Sequence, residues 1–238
     1  MTQPDALAAL RAAADAGKAA AMADYHKAPR SYLGIANPAI DALVADWRAG
    51  LDVPGRVALA RGLWASDVHE ARIAAAKLLT QARIPEHEPE VWQEVARWVP
   101  DFDGWAVADQ ACKAIERRLA AVPARPDAVE GWTRDPAMWM RRAALVATLP
   151  WARLTHPTAE ERAQRERILG WAARYVADRD WFIQKAVGWW LRSLSLHDAE
   201  RVGTFLAGPG AGLKAFARRE ATRRIQAVAG ARKSAHNG

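Results

Sequence analysis

Cross-links and membrane spans are both missing from this chain's means of holding itself together. Cys112 is the single cysteine in 238 residues, so no internal disulfide can form. No Cys/His grouping has zinc-ligand spacing, and neither a metal nor an organic cofactor is expected. No apolar run approaches the roughly 20 residues that cross a bilayer, and the N-terminus has no secretory core with a cleavage site. A cytoplasmic protein with no membrane partner is expected. Period-two alternation of β-branched residues is scarce, and hairpin turns between such runs are missing. That excludes an all-β fold and leaves helices. Tyr and Phe are also few, 3 and 4, beside 12 Trp.

What remains is 51% hydrophobic and 26% charged, with a net charge of +7, the profile of a folded domain. The surplus is local. From Arg201 onward stand eight Lys and Arg against one acid, Glu220, an excess that equals the charge of the whole chain. Such a field suits a polyanion such as nucleic acid, although a compositional bias toward Arg, Ala and Trp would leave the same trace.

The pattern is helical throughout. Residues 5–24 are Ala-rich with helical period, and Asn37 is a suitable N-cap before Pro38 at a first turn. "SDVHEARIAAAKLL" (Ser66–Leu79) begins with cap-type residues. "DPAMWMRRAALVATL" (Asp135–Leu149) and "DRDWFIQKAVGWWLRSL" (Asp178–Leu194) repeat one design: an acidic cap, bulky residues, a basic or amide position, then close packing. Weaker members lie near Asp109 and at "FARREATRRI" (Phe216–Ile225). A spacing of roughly 35 to 45 residues with two helices per unit predicts HEAT-like repeats stacked into a solenoid with a concave face. "VPARPDA" and "AGPGAG" read as inter-helix loops. A single domain over 1–238 is expected, with a disordered basic tail at about 230–238.

Within "FDGWAVADQ" (Phe102–Gln110), Trp105 and Asp109 stand four residues apart, so a helix projects both from one face. The bland alternative for Asp109 is a solvated acid paired with Lys113.

The ordered blocks "YHKAPRSYLGIANPAIDALV", "GLWASDVHEARIAAAKLL", the Trp105/Asp109 pair, "DPAMWMRRAAL", "WFIQKAVGWWLR" and "RREATRRI" together resemble the bacterial DNA alkylation repair glycosylases of the HEAT-like-repeat, AlkD type, over nearly the whole chain. The resemblance implies a monofunctional glycosylase that hydrolyses the N-glycosidic bond of N3- and N7-alkylated purines in double-stranded DNA and leaves an abasic site. It implies Asp109 as the catalytic carboxylate and Trp105 and Trp189 as active-site indoles. Tyr25, Arg142 and Arg192 are implied as DNA contacts. It also implies engagement of the lesion through the backbone, without a tight base pocket. Four positions depart from the pattern: Gly104 stands for a second Trp, Ala106 for an acid, and Ala36–Asn37 for a polar pair. These departures bear on substrate range.

Of the basic C-terminal residues, Arg218, Arg219 and Arg223 are expected to face DNA, although one helix cannot point them, with Arg224, all one way. Trp47, Trp64, Trp92, Trp98, Trp132, Trp139, Trp151, Trp171 and Trp181 are expected to pack, and His69 to hydrogen-bond near a helix cap. Trp189 neighbours Trp190, and only one of them can face a groove; Arg142 and Arg141 pose the same choice. A monomer is expected, nucleoid-associated when on DNA. The competing reading is a non-catalytic helical-repeat scaffold for DNA or a protein partner.

Overall fold

The computed structural model describes residues 1–81 and 83–236, with backbone only for Pro85 and residues 226–236. Side chains of the tail expected at about 230–238 therefore lie outside the described residues. Among those described there is no strand, only one bridge between Ser31 and Val68. The fold is all-α, of the helical-repeat class, and its contacts gather into two compact units, 1–126 and 127–238.

The first unit contains α1 (Gln3–Ala12), α2 (Ala16–His26), α3 (Asn37–Ala49), α4 (Val53–Ala65), α5 (His69–Leu79), α6 (Glu88–Arg97) and α7 (Trp105–Ala121). Its centre is α5, which packs against α3, α4 and α7. Ala71, Ala74, Ala75 and Ala76 are fully buried there. Side chains this small let neighbouring helices come close on several sides, which is why an Ala run occupies the middle of the unit. Large residues fill the wider gaps: Trp64 and Trp98 stack face to face at 4.4 Å and 6°, adding about 0.5–1.5 kcal/mol beyond their burial.

The second unit contains α8 (Pro126–Glu130), α9 (Met138–Val146), α10 (Leu149–Ala152), α11 (Ala159–Arg174), α12 (Trp181–Leu194), α13 (Ala199–Ala207) and α14 (Ala215–His236). Here α12 is central, against α9, α10, α13 and α14. A Cβ on Gly188 would lie 2.8 Å from the Ala217 carbonyl oxygen, so α14 can approach α12 only where that side chain is missing.

Several boundaries differ from those the sequence suggests. Residues 5–24 are two helices, because Asp15 turns outward to cap α2, accepting from the Lys18 amide at 3.1 Å. Asn37 is the first residue of α3 rather than its cap; Ala36 holds that place without a side-chain bond. Ser66 and Asp67 do not open α5. Ser66 closes α4, its hydroxyl donating to the Leu63 carbonyl, and Asp67 turns in the left-handed region at φ 55°. Asp180 does cap α12, accepting from the Phe182 amide at 2.8 Å.

Candidate active site

The site in the first unit begins at the segment between α2 and α3. Gly34 has φ 77°, and a Cβ there would collide with the Asp15 carbonyl and stand 2.5 Å from the Ala19 amide nitrogen. Only glycine lets the chain pass over the start of α2. Glu70, fully buried, accepts from the amides of Leu33 (2.9 Å), Gly34 (2.7 Å) and Ile35 (3.3 Å). One carboxylate thus satisfies three backbone donors that no helix could satisfy.

This anchored segment, α2, α5 and the start of α7 enclose a cleft of about 240 Å³. Trp105 and Asp109, both half-buried, line it from the first two turns of α7, with Ala106, Gln110 and Lys113. Ile35, Ile40 and Ile73 give it an apolar side. Lys113 is exposed and donates to the Gln110 side chain at 3.0 Å. Tyr25 is 70% exposed and meets Trp105 edge to face, with ring centroids 5.9 Å apart. Tyr25 thus borders Trp105 and lines an adjoining pocket that shares Met22, Ile35 and Asn37 with this cleft.

Behind Trp105 runs a stack that the sequence did not announce. Tyr32 lies on His69 at 4.7 Å, His69 on His26 at 4.7 Å, and His26 against Trp105 at 5.2 Å. The bond expected of His69 near a helix cap is made by its backbone, whose amide donates to the Ser31 carbonyl at 2.9 Å, while the ring Nδ1 is buried without a partner. Burial pushes the His69 pKa down to about 3, helped by the repulsion a protonated His26 would add and by the Arg30 charge. Burial also lowers that of His26, against the pull of Glu70. At neutral pH this wall carries no charge. Nothing in the sequence marks His26 as its partner, although "HE" at His69–Glu70 is a hint, since two polar groups at the head of an Ala-rich core helix need a reason to be buried.

In the second unit, α12 settles the choice between adjacent tryptophans. Trp190 is fully buried and its indole N–H points to the Thr148 carbonyl at 3.3 Å, whereas Trp189 is half-buried. Trp189 shares one partly exposed face of α12 with Trp181, Lys185 and Arg192, at helical spacing. Trp181, expected to pack, is 48% exposed; it stacks on Phe216 at 5.7 Å and carries the Lys185 ammonium 4.6 Å from its ring. The cause is its place at the first residue of α12, where the ring has no preceding turn to cover it. Trp47, Trp64, Trp98, Trp151 and Trp171 are buried as expected.

The arginines divide. Arg142 is only 2% exposed, and its guanidinium donates to the Phe182 carbonyl at 2.9 Å. The more accessible Arg141 pairs with Asp178 at 3.0 Å. Arg192 pairs with Glu220, the one acid of the basic segment. Arg218 donates to the Leu206 carbonyl at 3.0 Å. Arg219 and Arg223 are exposed and enter no ion pair among the described residues.

The first unit of this all-α helical-repeat protein thus carries an acid and an indole on one cleft wall. The family described as DNA alkylation repair enzyme matches residues 6–225, and the chain belongs to it. Among solved structures it is similar to a predicted DNA alkylation repair enzyme from Enterococcus faecalis, with TM-score 0.71 at 21% identity, covering 88% of this chain and 95% of that one. It is also similar to smu.31 from Streptococcus mutans UA159, with TM-score 0.55 at 18% identity, covering 71% and 82%. At these identities the likeness is one of fold. No curated protein matches the chain.

Proposed function

We propose that the protein is a monofunctional DNA glycosylase that hydrolyses the N-glycosidic bond of cationic N3- and N7-alkylated purines in duplex DNA. One observation carries this reading: in a member of a DNA alkylation repair family, the Asp109 carboxylate and the Trp105 indole line the same cleft.

The chemistry follows from charge. An alkylated purine is already cationic, so the bond to C1′ breaks with its electron pair going to the base, which leaves neutral. Positive charge then develops on the deoxyribose, as in glycoside hydrolysis. Asp109 stabilises that charge and takes a proton from the water that adds to C1′. Trp105 offers its electron-rich face to that developing cation and keeps bulk water out; Trp189 is the second active-site indole that the family resemblance implies. A lyase step would need a shielded amine nucleophile; Lys113 is exposed and hydrogen-bonded to Gln110, which supports simple hydrolysis. Arg192, Arg219 and Arg223 are the phosphate contacts of this reading, with Arg192 exchanging Glu220 for a phosphate. The protein acts as a cytoplasmic monomer on double-stranded DNA.

The test is release of 7-methylguanine from methylated duplex DNA, detected by mass spectrometry. Asp109→Asn is expected to lower single-turnover release by about 10²–10³ while leaving DNA affinity unchanged. Borohydride should trap no covalent adduct. DNA binding by the wild type with no base released from any lesion would leave only a scaffold.

A further inference from the structure

The stack behind Trp105 contains two imidazoles for which the proposed reaction has no use. His69 is 4% exposed and lines the cleft, and its Nδ1 and that of His26 have no hydrogen-bond partner. A purely structural wall would use phenyl rings, which pack as well and leave no polar atom unpaired. Imidazole differs from phenyl in one property that matters beside a cationic substrate: it can itself become a cation.

His26 is placed to make that difference felt. Its ring centroid lies 5.2 Å from that of Trp105, tilted by 49°, within cation–π range of the indole. While neutral, it braces the indole and leaves the face free. Once protonated, it would compete for the π-density that should serve the developing sugar cation, and would repel a cationic purine. The groups around it do not abolish this. From α5 it is faced by His69 and the buried Glu70, whose carboxylate is already engaged by three amides. From α7, Asp109 and Lys113 line the same cleft. Asp103, paired with Arg30, lines a second, small cavity together with His26, His69 and Trp105, and Tyr32 closes the stack.

We propose that His26 is a positioning residue for Trp105 and an acid-sensitive filter of the site: its neutral ring holds the indole ready for the cationic nucleotide, and its protonation withdraws the indole. This rests on the glycosylase reading above.

The experiment follows single-turnover release of 7-methylguanine between about pH 5 and 8, corrected for spontaneous loss, for wild type, His26→Phe and His26→Ala, with DNA affinity measured in parallel. His26→Phe keeps the stack but cannot protonate. It should stay within about threefold of wild type at neutral pH and lose the wild type's acid inflection below 6.5. His26→Ala, which removes the brace, should fall about tenfold at neutral pH. An unchanged acid inflection in His26→Phe, or an unchanged neutral rate in His26→Ala, overturns the proposal. Release by wild type with no response to either variant sinks this inference alone. Binding without release at any pH sinks the glycosylase reading instead. In that case, and if a variant fails to fold, the wild-type chain still decides. The Trp105 indole N–H resonance should titrate with the same midpoint as the His26 ring, and an indole that ignores that titration overturns the coupling.

Discussion

At the scale of single residues, His69 ties acid tolerance to the fold. Its ring is held neutral with a pKa near 3 in the folded protein, while an unfolded chain would protonate it near its ordinary 6.5. Between those limits the unfolded state binds the extra proton. The contribution to stability is therefore complete above pH 6.5 and shrinks as pH falls toward 3. By pH 5 it should have cost about 2 kcal/mol. His69→Phe should flatten that decline, as measured by urea unfolding at neutral and acid pH. Trp105 and Asp109 were legible at this scale, because their relation is one helical turn within one segment. The stack was not. Tyr32, His26 and His69 meet through a non-helical passage whose path depends on Gly34 and Glu70, and no local period reports that.

Elements show a similar division. The design at Asp178–Leu194 could be read to within a few residues, since an aspartate at Asp180 caps a strongly two-faced helix. Ser66 and Asp67 misled, because residues that can cap a helix start can equally end the helix before it. Exposure of Trp181 was also hidden, as its type argues for burial and only its place at a helix start argues against it. One expectation belongs to α12 and α14 jointly. Gly188→Ala forces a methyl group against the Ala217 backbone, which cannot fold away as a long side chain could. The variant should lose about 1–3 kcal/mol, read as a lower thermal midpoint.

For the molecule as a whole, charge is divided unevenly. Residues 127–238 hold 19 Lys and Arg against 11 Asp and Glu, a net +8, while residues 1–126 hold 15 against 16, a net −1. In the proposed reading, phosphate binding falls mainly to the second unit. Arg219→Gln and Arg223→Gln should each reduce the slope of log affinity against log salt by about one; Asp109→Asn should leave that slope alone. The helical class and the cluster of basic residues near the C-terminus were both visible in composition. Which arginines are already engaged was not, since Glu220, Asp178 and the Leu206 carbonyl become partners only after folding. The buried Glu70 carboxylate has an effect beyond the passage it ties down. A cleft whose non-helical rim is fastened at three successive amides is rigid before any substrate arrives, so capture requires no loop to be ordered and little of the encounter's free energy is lost to that end.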